Sequence, residues 1–166
     1  VQVDGVVWSQ VVVGNTVYVG GKFTTARPAG AAPGTNTVPR SYILAYDITT
    51  GELINSFAPT LNGQVLGLAA SPDGTRIYAV GDFTTVNGSN KYRAVALNAS
   101  NGSTITSFSP GFNARARSVI ATNDTVYIGG SFTNVSGVTR TRLAALRSSN
   151  GAVLDWAPTA AGGGNQ

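Results

Sequence analysis

The chain has 166 residues, room for one ordinary domain, and is 42% apolar but only 11% charged, against about 25% charged in a typical soluble domain. Thr and Val number 19 each while Glu occurs once and Lys twice, a composition of strands and turns rather than surface helices. Cys and His are both absent, which excludes disulfides, thiolate metal sites and histidine general bases, and the net charge of +4 gathers in the last third, where five arginines face Asp124 and Asp155.

In chain order the same sequence of elements is predicted three times. An apolar run comes first: Val6–Val13, Val65–Ala70 and Ser118–Ala121. A tight turn follows, at Gly14-Asn15, at Ser71-Pro72-Asp73-Gly74 and at Asn123-Asp124. The second run carries a shared motif: VYVGGKFTT (17–25), IYAVGDFTT (77–85) and VYIGGSFTN (126–134). A third run is SYILAYD (41–47), YRAVALN (92–98) and TRLAALR (141–147), each followed by a turn that ends in Gly51, Gly102 or Gly151. A fourth run closes on aromatic-x-Pro, at Phe57-Ala58-Pro59, Phe108-Ser109-Pro110 and Trp156-Ala157-Pro158. Phe83 to Gly102 and Phe132 to Gly151 both span 19 residues, whereas Phe23 to Gly51 spans 28, so the first copy carries an insertion that reads as a Pro/Gly loop over 26–39.

Four short strands repeated about every 50 residues are the signature of a β-propeller blade. The expected fold is therefore all-β, with three four-stranded antiparallel blades at 1–59, 60–110 and 111–158 and a connection at 159–166. Gly20-Gly21, Gly81 and Gly129-Gly130 fall inside strand patterns, where glycine marks a bulge or a close backbone approach. Phe23, Phe83 and Phe132 are expected to fill the space between neighbouring blades. A sandwich of twelve strands is the alternative, and the fixed period argues against it.

The pattern Tyr-Val-Gly-Gly-x-Phe-Thr, then Arg-x-x-Leu-Ala-x-Leu, Thr/Asn-Gly and Phe/Trp-x-Pro resembles the secreted bacterial β-propeller repeats called delta-sixty repeats, common in actinobacterial extracellular proteins. The resemblance covers nearly the whole chain. Arg93 and Arg142 match the family arginine, Tyr42 takes its place in the first copy, and Val80 replaces the first motif glycine in the second. It implies a propeller fold, an extracellular location and an accessory role in larger secreted proteins.

Propellers usually have four to eight blades, so three copies make an arc. Part of a longer propeller, half of a six-bladed ring closed by two-fold symmetry, and a freestanding arc are all open readings. The chain starts at Val1 without a signal-peptide core, which reads as processed or cut from something longer, and Gly164-Asn165-Gln166 aligns with Asn62-Gly63-Gln64 at a repeat boundary. Exposed blade ends would invite a protein partner or a second copy of the chain.

No catalytic constellation emerges, and no enzyme, cofactor or metal site is expected. Asp73 and Asp124 belong to hairpin turns, and Asp82 is the only acid in a motif strand. There is no P-loop, dinucleotide fingerprint or calcium loop. For a binding role, the topology of a four-stranded blade gathers residues 24–40, 58–64, 84–91, 109–117 and 133–140 on one face. Arg40, Lys91 and Arg140 recur there at equivalent positions, joined by Arg115 and Arg117. These five are the candidate ligand-binding residues, for an anionic glycan or a protein surface. A neutral-sugar lectin would instead use aromatic platforms such as Trp8 and Trp156, although Trp156 aligns with Phe57 and Phe108 and so reads as core. A third reading is an accessory domain of a secreted enzyme whose site lies elsewhere. Nucleic acid is not expected without a basic run, nor a membrane span without an apolar run of ~20 residues.

Overall fold

The alternating apolar runs pair into sheets throughout residues 1–160, the part of the chain that the computed structural model describes, and none of these residues is helical. The first repeat holds β1 (Gln2–Val3), β2 (Val6–Val13), β3 (Thr16–Lys22), β4 (Thr25–Arg27), β5 (Val38–Pro39) and β6 (Ile43–Asp47). The second holds β7 (Val65–Ala70), β8 (Arg76–Gly81), β9 (Thr85–Val86), β10 (Ser89–Asn90) and β11 (Ala94–Asn98). The third holds β12 (Ala116–Ala121), β13 (Thr125–Gly130), β14 (Asn134–Val135), β15 (Val138–Thr139) and β16 (Leu143–Arg147). The alignment of Gly164-Asn165-Gln166 lies outside the described residues.

Three antiparallel meanders result: β2-β3-β6, β7-β8-β11 and β12-β13-β16, each with its motif strand in the centre. The fourth run departs from expectation. It forms no strand in any repeat, only a single bridge of Leu53, Thr104 or Val153 to the third strand. The reason is a turn. After Ile54 and Ile105 donate to Ala45 and Ala96, the N–H groups of Phe57 and Phe108 donate back to the carbonyls of Ile54 and Ile105, which swings each aromatic inward.

The segment between the second and third strands, read as loop from sequence, forms small hairpins. Asn87-Gly88 and Ser136-Gly137 are left-handed at both central positions, the geometry of a type I′ turn between β9 and β10 and between β14 and β15. The preceding linker adds to each hairpin: β1 pairs with β4, Leu61 bridges Val86 and Phe112 bridges Val135. A side-chain oxygen pins every linker. Asp4 accepts from the N–H groups of Thr24 and Thr25, Asn62 from Thr84 and Thr85, and Asn113 from Thr133 and Asn134.

The motif glycines meet their expectation. Each first strand carries a bulge, at Trp8, Leu66 and Arg117, opposite Gly21, Gly81 and Gly130, and a Cβ on any of these glycines would collide with the carbonyl of Val6, Gln64 or Arg115. Tyr42, Arg93 and Arg142 immediately precede the third strands at φ values of 69°, 71° and 67°, left-handed for side-chain-bearing residues. Their N–H groups donate to the carbonyls of Phe23, Phe83 and Phe132, which fixes that conformation.

Two of the three core clusters lie between meanders, and the third, built on Val17, Val19 and Leu44, lies within the first repeat. β7 packs against both β2 and β12. Tyr18, Ile43, Ala45 and Phe57 of the first meander share a cluster with Ile77, Ala79, Val95 and Leu97 of the second. Tyr78, Val80, Ala94 and Phe108 meet Val126, Ile128, Ala144 and Leu146 of the third in the same way. Phe23, Phe83 and Phe132 are all buried, but only Phe83 and Phe132 share a cluster with a neighbouring repeat; Phe23 corrects its expectation, since it packs among Val17, Val19, Ala26 and Leu44 of its own repeat. Trp156 corrects its alignment: Phe57 and Phe108 are 1% exposed but Trp156 is 45% exposed, because its partner Tyr127 lies on the face of the third meander that no described residue covers. Among the described residues no helix is long and apolar enough to cross a membrane.

Candidate functional site

The five basic positions separate by what their donors meet. Arg40, Lys91 and Arg140 are equivalent in the fold as in the sequence: each N–H donates to Thr24, Thr84 or Thr133 across the second-to-third-strand hairpin. Arg40 and Lys91 are buried, and Arg140 is half-buried. Arg40 donates to the carbonyl of Pro39 and to Oδ1 of Asn55 at 2.8 Å. The Lys91 ammonium faces the carbonyl of Phe108 at 3.3 Å, and Arg140 donates to the carbonyls of Thr139 and Leu154. Each cation thus ties its hairpin to the fourth run of the same repeat. Burial lowers the pKa of both Arg40 and Lys91, since a charged group gives up water there. Nε of Arg40 and of Arg140 is buried without an acceptor.

Arg115 and Arg117 belong to a different place, the starts of the first strands on the hairpin face. A polar row crosses all three meanders there. The Trp8 indole Nε1 donates to Oε1 of Gln64 at 3.0 Å, Gln64 Nε2 donates to Asp82 at 2.7 Å, and Arg115 grips both oxygens of Asp82 at 2.7 Å. Burial pushes the Asp82 pKa up, but the hydrogen bonds from Arg115 and Gln64, with the charges of Arg115 and Arg93, outweigh it and hold the carboxyl below its ordinary value. Asp82 is therefore an ionised anchor between the second and third meanders, with the geometry of a bidentate pair.

Arg117 differs from the other four. It occupies the bulge of β12 and is exposed, and its side chain makes no hydrogen bond or ion pair among the described residues. The equivalent bulges hold Leu66 on the neighbouring strand and Trp8, 53% exposed, beyond it. Arg93 and Arg142 are occupied too: Arg93 donates to the carbonyl of Phe112 and Arg142 to that of Ala160, each holding the linker that leaves its repeat.

A second concave region lies beside the insertion of the first repeat. It is an open concavity of about 490 Å³ lined by Arg27, Asn36, Thr50, Glu52 and Asn55 together with Val38 and Leu53. Its signal in the sequence was the insertion itself, the one feature the other repeats lack. Among the described residues no group of three or more Asp or Glu side chains is placed to hold a metal ion. No known family model matches the chain, and no curated protein does.

Proposed function

We propose that the chain is a non-catalytic, extracellular module of β-propeller type that acts by binding or assembly. Repetition of contacts as well as of sequence supports the reading most strongly. Tyr18 of the first repeat donates to the carbonyl of Ala99 in the second, and Tyr78 of the second donates to that of Ser148 in the third, so each unit meets the next by one rule. Propeller blades stack in this way around an axis lined by their first strands. The extracellular assignment rests on the family resemblance alone.

The binding surface of this reading is the hairpin face at the starts of β2, β7 and β12. An anionic partner there would be recognised by Arg117, whose guanidinium can offer two parallel donors to a carboxylate, with the exposed Trp8 ring at the equivalent bulge of the first meander as an apolar surface on the same face. The other four basic residues contribute less, because their donors already meet protein acceptors. An array of acidic and neutral glycans tests this. The expected result is retention of uronic- or sialic-acid glycans by the protein and a loss of about tenfold or more with Arg117→Glu, the order of one charge-assisted contact. Binding unchanged in Arg117→Glu would overturn the anionic reading.

The cavity beside the insertion favours a second reading, a neutral polyol or sugar. Its volume is in the range of small-ligand sites, and its lining mixes hydrogen-bonding side chains of both polarities with Val38 and Leu53. On the same array that reading predicts neutral-sugar retention that survives Arg117→Glu and is lost with Asn36→Ala and Glu52→Ala together.

A further inference from the structure

We infer that the cleft between the second and third repeats, at the end of the meanders opposite the hairpins, binds a neutral sugar, one pyranose ring held through neighbouring hydroxyls. The cleft lies at an internal junction, and both of its walls belong to described repeats. The inference does not depend on the hairpin face. It goes beyond the reading above by giving the opposite end of the molecule a ligand of its own.

Both internal junctions open a small cleft at this end, and the two are equivalent. The first, about 270 Å³, runs from Thr16 and Tyr18 to Ala99 and Ser100. The second, about 230 Å³, runs from Arg76 and Tyr78 to Ser148 and Ser149. Their chemistry differs. The first is lined also by Ala45, Ile54 and Phe57 and has no charged side chain in its wall. The second is lined by Ser71, Asp73, Arg76 and Tyr78 of one repeat and by Asn123 and Ser149 of the next. A longer turn supplies two of these groups: residues 71–75 join β7 to β8, where Gly14-Asn15 alone joins β2 to β3. Arg76 itself stands where the other repeats have Thr16 and Thr125.

The most buried polar group of the second cleft is poorly satisfied. At the first junction the Tyr18 hydroxyl donates to the Ala99 carbonyl at 2.6 Å. At the second the Tyr78 hydroxyl reaches the equivalent carbonyl of Ser148 only at 3.5 Å, because Nη1 of Arg76 holds that oxygen at 2.9 Å. Tyr78 is 2% exposed, and a hydroxyl so buried favours a closer partner. Groups with unused hydrogen-bonding capacity surround it. The Ser71 hydroxyl and the Thr75 N–H and hydroxyl all meet Oδ1 of Asp73, which leaves Oδ2 without a donor. The Asn123 carboxamide and the Ser149 hydroxyl bond to none of the described residues.

Charge selects the class of ligand. The Ser71 hydroxyl is the largest cause that holds Asp73 at a pKa of about 2, and the Arg76 charge adds to it, so one anion and one cation share the cleft. A charged ligand of either sign would be attracted by one of them and repelled by the other. A hydroxyl donates and accepts, so two neighbouring hydroxyls can satisfy the carboxylate and the guanidinium together. Tyr78, Asn123 and Ser149 then complete a ring of polar contacts. The volume is small beside the ~300–1,000 Å³ of drug-sized sites, which suits a single ring.

Amide chemical-shift titration of the isotope-labelled chain tests this, with the methyl pyranosides of glucose, galactose, mannose and N-acetylglucosamine and with glucuronate as the charged counterpart. At least one neutral pyranoside should shift residues 71–76, 122–124 and 148–149 together, and glucuronate should bind there about tenfold more weakly or worse. Asn123→Ala removes a side chain that bonds to none of the described residues, and Tyr78→Phe removes only the long contact. Each should weaken binding about fivefold with an unchanged urea midpoint, the order of one hydrogen bond. Tyr18→Phe should do the reverse, lowering the midpoint and leaving binding as it was. No shift with any of the four neutral sugars, affinity unchanged in both Asn123→Ala and Tyr78→Phe, or glucuronate bound as tightly would each overturn the site. So would shifts confined to residues 27, 36 and 52 beside the insertion, or to 115–117 on the hairpin face. Those last two results leave the binding-module reading standing, and the array with Arg117→Glu tests that reading on its own.

Discussion

A carboxylate and two carboxamides hold the three linkers by the same pair of backbone N–H groups, and the difference between them is measurable. Asp4 accepts from Thr24 and Thr25, and its pKa falls from 3.8 to about 2, chiefly through the Thr25 N–H, against a smaller opposing effect of burial. A folded-state pKa below the unfolded one gives stability that is whole above the unfolded value and fades as pH drops from about 4 through about 2. Asp73, held down first by the Ser71 hydroxyl, shifts the same way. Asp4→Asn copies the natural state of Asn62 and Asn113, so it should keep stability near pH 7 and flatten part of this acid limb in urea melts at pH 2 to 7. A limb as steep as in the unchanged chain would contradict the role given to Asp4. Asn62→Ala leaves the Thr84 and Thr85 donors without their acceptor and should cost about 1–2 kcal/mol in the same melts. At this scale the sequence was legible in position but not in direction. Arg40, Lys91 and Arg140 could be aligned from their spacing to the motif. That their charges turn inward, toward Asn55 and the carbonyls of Phe108 and Leu154, depends on where the fourth run bends, and no spacing encodes that.

The elements divide by length. The first three runs of each repeat are long enough to alternate, and their ends lie where the turn residues put them: β2 ends before Gly14-Asn15, and β6, β11 and β16 end four residues before Gly51, Gly102 and Gly151. The fourth run is too short for alternation to specify a strand, and its ladder stops after one bridge. The Asn87-Gly88 hairpin carried the strongest short-range turn signal, yet its two-residue strands are below the length at which a period can be read. Asp82 shows the same limit, since its identity as a junction anchor comes from Arg115, 33 residues away. Because Asp82 and Arg115 keep 27% and 40% of their side chains in solvent, water screens their attraction. A double-mutant cycle with Asp82→Asn and Arg115→Gln should give a coupling of about 1 kcal/mol that shrinks in 1 M salt. A coupling of zero at low salt would mean that the pair is incidental to the junction.

For the whole molecule, repetition explains why a chain with so few charges folds around cores that lie between units. Neither face of a single meander is polar enough to face water: Tyr18, Ile43 and Ala45 point one way from the first meander, while Val17, Val19 and Leu44 point the other. The repeat made that stacking legible from sequence, and the exposed Trp156 marks where an alignment of residues cannot say whether a next unit is present to cover one of them. The central claim is that each repeat packs backbone-close on the next through its first strand. Paired glycine substitutions followed by chemical denaturation test it most directly. A Cβ on Gly67 of β7 would lie 2.9 Å from the Arg117 carbonyl oxygen of β12, whereas one on Gly111 would meet nothing nearer than Tyr92 at 3.9 Å. Gly67→Ala should lose about 1–3 kcal/mol, the range for forcing extra volume into a packed junction, and Gly111→Ala should stay within about 0.5 kcal/mol of the unchanged chain. Equal effects of the two substitutions would contradict the stacking of the repeats.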